Sequence, residues 1–79
     1  MKNTVRYFAV FREQAGVASE LVEWPGGSAQ ELFALMASKH ASLKSESAAL
    51  VAVNDEMSDW EKPLLEGDVV LFFPPVAGG

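Results

Sequence analysis

Cysteine is absent from this 79-residue chain. That excludes disulfides, thiolate-based metal sites and a thiol nucleophile. It also makes a reducing compartment such as the cytoplasm the simplest setting. Histidine is nearly absent as well: His40 stands alone, without partners for a metal site, so no bound metal is expected. Positive charge is scarce and scattered. Six Lys and Arg face eleven Asp and Glu, a formal net charge of −5, which disfavours nucleic acid and anionic membrane as partners. The balance suits a docking partner with a basic face. Long apolar runs are missing, and Lys2, Arg6, Arg12 and Glu13 interrupt the opening of the chain, so neither a signal peptide nor a membrane span is expected. No glycine-rich phosphate loop occurs either, so the chain by itself is expected to bind no cofactor.

Apolar residues, by contrast, make up 49% of the chain, enough for one core and a single domain over residues 1–79. Residues 4–11, TVRYFAVF, are β-branched and aromatic and alternate as a strand, with Val5, Tyr7, Ala9 and Phe11 on one side. A short REQAG segment follows, with Gly16 as its stop. Residues 18–24 alternate again, Leu21 set apart from Glu20, and the short gap favours an antiparallel hairpin. After the Pro25-Gly26-Gly27 break, Ser28 and Glu31 have capping-box spacing. Ala29, Leu32, Phe33, Met36 and His40 then share one face of a helix over 29–40, widened by Leu35.

Residues 49–54 read as a buried strand, and Pro63 demotes 55–64 to edge or irregular structure. Glu66-Gly67-Asp68 makes a turn into a last strand over 69–73, which Pro74 and Pro75 end. Trp24 and Trp60 read as packing residues and His40 as a helix-end residue. Glu46, Asp55, Glu56, Asp59, Glu61 and Glu66 read as solvated surface charge. The order predicts an α+β fold, a sheet with one main helix across one face.

The chain closes on FFPPVAGG, residues 72–79. Pro74 and Pro75 hold the backbone near polyproline II and project it from the sheet. From Pro74 through Pro75, Val76, Ala77, Gly78 and Gly79, the extended reach is roughly 20 Å. Gly78 and Gly79 have no side chains, so the end is narrow enough to enter a deep cleft. The expected product is a slender, flexible tail over 74–79 that presents the Gly79 carboxylate. Such a carboxylate is a poor acyl electrophile until its oxygen becomes a good leaving group, as adenylation by ATP makes it. Sulfur, an amine or a thiol can then attack the carbonyl carbon. Nothing in the chain looks able to perform that activation.

The FFPPVAGG ending, with the Gly67-Asp68 turn and strand before it, closely resembles the molybdopterin synthase small-subunit, sulfur-carrier (MoaD/ThiS) family. The likeness also covers the opening strand into Phe11-Arg12-Glu13 and Gly16, and Val53-Asn54 after the buried strand. It implies a β-grasp, ubiquitin-like fold and a carrier that is not itself an enzyme. An E1-like adenylyltransferase, using ATP and magnesium, would adenylate Gly79, and a persulfide sulfur donor would convert the adenylate to a thiocarboxylate. The tail would then enter the large subunit of the synthase, in a heterotetramer, and pass sulfur to cyclic pyranopterin monophosphate to build the dithiolene.

The resemblance further implies partner-facing apolar residues at Phe8, Met57 and Phe73, to which Arg12 adds a rim contact. Alternation agrees for Phe8, which shares a strand face with Thr4 and Arg6; of Phe72 and Phe73, one is expected in the core and the other exposed. A thiamine-pathway sulfur carrier, a ubiquitin-like modifier joined through Gly79, and an interaction module with no tail chemistry are the alternatives.

Overall fold

The computed structural model describes residues 1–44 and 48–74; the expectations placed on Glu46, Pro75, Val76, Ala77, Gly78 and Gly79 lie outside the described residues. The order of elements is β1 (Lys2–Tyr7), α1 (Val10–Ala15), β2 (Ser19–Glu23), α2 (Ala29–Lys39), β3 (Leu50–Val53), β4 (Glu56–Ser58) and β5 (Val69–Phe73). The strands form one mixed sheet in the order β2-β1-β5-β3-β4. β1 and β2 make the expected antiparallel hairpin, while β1 and β5 run parallel, Tyr7 opposite Phe72. A parallel pair needs a long crossover, and α2 supplies it across one face. The fold is a ubiquitin-like β-grasp.

Local chemistry explains where α2 begins. Ser28 Oγ accepts from the Glu31 N–H at 3.1 Å and Glu31 Oε1 accepts from the Ser28 N–H at 2.9 Å, closing the capping box. The next orphan donors, the N–H groups of Ala29 and Gln30, reach the carbonyls of Lys62 and Trp60. Residues 60–62 are irregular, as Pro63 predicts, and they serve as the cap for the helix.

The core lies between α2 and the sheet. Val5, Tyr7, Val22, Val51, Val53, Val70 and Phe72 face it from the strands, and Leu32, Phe33 and Met36 from α2. Phe33 sits edge-on to Phe72, Phe11 and Trp60, with centroids 4.9, 5.4 and 5.8 Å away, and Trp60 stacks on Phe72. Each such pair contributes about 0.5–1.5 kcal/mol beyond its area. The one buried amide in the core, Asn3, spends its hydrogen-bonding capacity on the sheet. It donates to the Leu65 and Asp68 carbonyls and accepts from Trp24 Nε1 at 2.7 Å. Trp24 is therefore a packing residue whose one polar atom is satisfied.

Three expectations are corrected. The first strand ends at Tyr7, not at residue 11, so Phe11 enters the core from α1 and Ala9 is exposed. Leu35 and Leu21 stay in solvent, Leu21 at 79% exposure. Glu20, and not Leu21, takes the core side of β2, because cations and a hydroxyl wait for it there. Lys39 Nζ and His40 Nε2 each lie 2.6 Å from its carboxylate, and Tyr7 donates its hydroxyl at 2.8 Å. His40 is thus a helix-end residue with a specific partner.

Burial by itself would raise the Glu20 pKa, but the hydrogen bonds from Lys39, His40 and Tyr7 outweigh it and lower it from 4.5 to about 2. Burial, followed by the bond to Glu20 and its charge, pushes the Tyr7 hydroxyl well above its ordinary value. A depressed carboxylate stabilises the fold above its unfolded pKa, and that contribution is lost as pH falls from about 4.5 towards 2. Urea unfolding at pH 7 and pH 3 should show the wild-type chain losing on the order of 2 kcal/mol more than Glu20→Gln. Equal losses in the two proteins would show that the carboxylate is not held this way.

Candidate functional site

The face of the sheet away from α2 is uncovered among the described residues. Strand alternation and register place its side chains in rows. Arg6, Leu71, Ala52 and Met57 form one row across four strands, and Phe73 stands opposite Leu50 in the next. Phe72 is fully buried and Phe73 half-buried, so the adjacent pair divides between the two faces as alternation requires. Phe8 and Met57 are each 61% exposed. The Phe8 N–H donates to the Phe72 carbonyl at 3.1 Å, carrying the β1–β5 pairing one step past the end of β1.

The fold therefore brings Phe8 and Phe73 to the same end of the sheet, where β5 hands over to Pro74. Met57 is on the edge strand β4, two strands and roughly 10 Å from β5. Arg12 is exposed on α1 and joins Phe8, Val10 and Val17 around an open groove. Leu50, Leu71 and Arg6 belong to the same face. Sequence reasoning did not include them in the site, because assigning them requires the strand order, and periodicity within one strand does not contain it.

The corner carrying Phe8 has an unusual backbone. The Phe11 N–H donates to the Phe8 carbonyl at 3.2 Å, and Ala9 sits at φ 54, ψ −127. These are the angles of the first central residue of a type II′ turn, where glycine is the ordinary occupant. A residue with a Cβ there costs about 1–3 kcal/mol. The conformation persists because the Ala9 carbonyl accepts from the N–H groups of Arg12 and Glu13, and Gly16, in the left-handed region, closes α1 by donating to the Arg12 carbonyl.

No described group of three or more His, Asp or Glu could hold a metal ion. No described helix is long and apolar enough to cross a membrane.

Comparison with known proteins places these features in a family context. The profile of the ThiS family matches residues 5–79. The Escherichia coli (strain K12) molybdopterin synthase sulfur carrier subunit is 36% identical over 78 residues, covering 95% of this chain and 96% of that protein. In a solved complex of subunits 1 and 2 of the molybdopterin-converting factor from Helicobacter pylori 26695, the matching chain is 30% identical with a TM-score of 0.70, both chains covered fully. The H. volcanii small archaeal modifier protein 1 has a TM-score of 0.82 over 95% of this chain and 98% of that one, but only 19% identity, so it shares the fold alone.

The two-faced placement of the phenylalanines has a direct consequence. Phe72→Ala should cost about 3–5 kcal/mol in urea unfolding, and Phe73→Ala less than half as much, since only the first leaves a core cavity. Comparable losses would place both rings in the core.

Proposed function

This chain belongs to the ThiS family, and we propose that within it the protein serves as the sulfur carrier subunit of molybdopterin synthase, acting in the cytoplasm as a protein substrate and not as a catalyst. Gly79 carries the reactive carboxylate at the end of residues 74–79. An E1-like adenylyltransferase joins that carboxylate to the α-phosphate of ATP with magnesium, releasing pyrophosphate. The terminal sulfur of a donor persulfide then attacks the carbonyl carbon and AMP leaves. A second thiol attacks the donor's inner sulfur in the resulting acyl disulfide, forming a disulfide with the donor and leaving the thiocarboxylate on Gly79. The tail enters the large subunit, whose residues perform the transfer to cyclic pyranopterin monophosphate. Two rounds complete the dithiolene. The complete lack of cysteine is consistent with sulfur that arrives from outside and travels on the chain end.

One observation carries the reading beyond likeness. β5 is a central strand and ends beside Phe8 and Phe73, so a partner that covers this end of the open face also holds the root of the segment that follows Pro74. Docking and delivery are thereby coupled through a rigid strand. Phe8, Phe73 and Met57 supply apolar contact and Arg12 a rim charge, the composition that interfaces favour. The −5 net charge adds attraction to a basic partner surface.

The test is direct. Incubated with its adenylyltransferase, ATP, magnesium and a persulfide donor, the chain should gain the mass of an oxygen-to-sulfur exchange located at Gly79. Deleting Gly79 should abolish that gain and leave the circular dichroism unchanged. Lysine adducts in cells in place of the exchange would instead support a modifier. Sulfur transfer by a protein carrying an uncleaved C-terminal extension would overturn the assignment of Gly79.

A further inference from the structure

We infer that Ala9 is a positioning residue for docking: its methyl group, at a turn position where glycine would relieve strain, holds Phe8 in the orientation a partner meets. The inference rests on the proposed docking role of Phe8 and extends it to the exposed neighbour that follows it, which has only a methyl group for a side chain.

Two independent constraints act on Ala9. Backbone hydrogen bonds close it in from both sides: Phe8 N–H to the Phe72 carbonyl, Phe11 N–H to the Phe8 carbonyl, and the Arg12 and Glu13 N–H groups to its own carbonyl. A flip to the negative φ that an alanine prefers would misalign the bonds that span or follow Ala9, those donated by the Phe11, Arg12 and Glu13 N–H groups, while the Phe8 N–H bond keeps the strand side fixed. The Cβ then removes most of the positive-φ region that a glycine would explore. What remains is a narrow well near φ 54, ψ −127. Glycine at the same place would keep the turn but broaden the well.

Phe8 is the residue that would be affected by the difference. It is 61% exposed among the described residues and forms the first residue of the turn. Its backbone direction is set by the strand on one side and by Ala9 on the other. A ring that is already aimed loses less freedom when a partner covers it. Strain accepted at Ala9 in the free protein is thus consistent with an ordering cost already met before docking. The two effects of Ala9→Gly have opposite signs, and that separates this role from an accident of packing: fold stability should hold or rise, whereas affinity should fall.

The experiment compares the full chain, Ala9→Gly and Phe8→Ala by thermal unfolding, by titration calorimetry against the large synthase subunit, and by amide relaxation. For Ala9→Gly we expect a Tm equal to or above that of the wild type, lower order parameters at Phe8 and Val10, and binding weaker by roughly two- to tenfold. Phe8→Ala should weaken binding by at least as much. If Phe8→Ala binds normally, the docking role of Phe8 is wrong and the inference goes with it. If Phe8→Ala binds weakly but Ala9→Gly binds as tightly as the wild type, the docking role stands and the positioning role is overturned. A lower Tm for Ala9→Gly would remove the strain on which the inference rests.

Discussion

The parallel pairing of β1 with β5 is the constraint on which the rest of this structure depends. It joins strands separated by most of the chain, Val5 opposite Val70 and Tyr7 opposite Phe72, and it needs α2 as the crossover. Because the pair occupies the middle of the sheet, its core-side residues are covered by α2 and completely buried at Val5, Val70 and Phe72. Because β5 is the last strand described, the same pairing carries the chain out at the centre of one sheet end and not along a loose edge. A strand fixed on both sides by neighbours makes a stiffer base for a following segment than an edge strand would.

Buried polar groups hold this pairing in register. Asn3 on β1 donates to the Leu65 and Asp68 carbonyls just before β5. Asp68 in turn accepts from Asn54 and from the Leu65 N–H, and Asn54 accepts from the Val69 N–H. The described side chains leave no buried polar atom without a partner. A one-residue slip of β5 would orphan this network and exchange Phe72 with Phe73 between core and open face. The polar network and the hydrophobic pattern thus select the same register, and that register decides which aromatic lies on the open face.

Much of this was legible in the sequence because it rests on local rules. Ser28 and Glu31 announced the start of α2, Gly16 and Gly67 fall at positive φ where stops and turns were expected, and Pro63 marked the irregular segment before β5. The division of Phe72 from Phe73 followed from period-two alternation alone. What could not be read is what depends on partners distant in the chain. Glu20 looked like an outward charge until Lys39 and His40, brought over by α2, gave it a reason to face inward. Alternation alone extends the first strand to Phe11, because an alanine gives no turn signal. Had residue 9 been glycine, the boundary would have been visible. Within the candidate site, Phe8, Phe73, Met57 and Arg12 were named from resemblance and alternation, whereas Leu50, Leu71 and Arg6 needed the strand order.

The sheet shows how a small domain can keep an apolar face uncovered without losing its fold. A chain of this size buries a limited share of its surface, so each aromatic placed outside the core is stabilisation forgone. Phe8 and Met57 stay largely exposed and Phe73 partly so, while Phe11, Phe33, Trp60 and Phe72 carry the core through a contiguous set of ring contacts. That concentration is what permits the exposure: with Phe33 seated on Phe72 from α2, the core side of β5 is secured independently of what covers its other side. Stability and the proposed docking then draw on opposite faces of the same strands. On that proposal, a substitution at an exposed position of the open face, such as Phe8 or Met57, alters recognition while the packing beneath it is preserved, whereas Ala52 on the same face is buried and bound by packing.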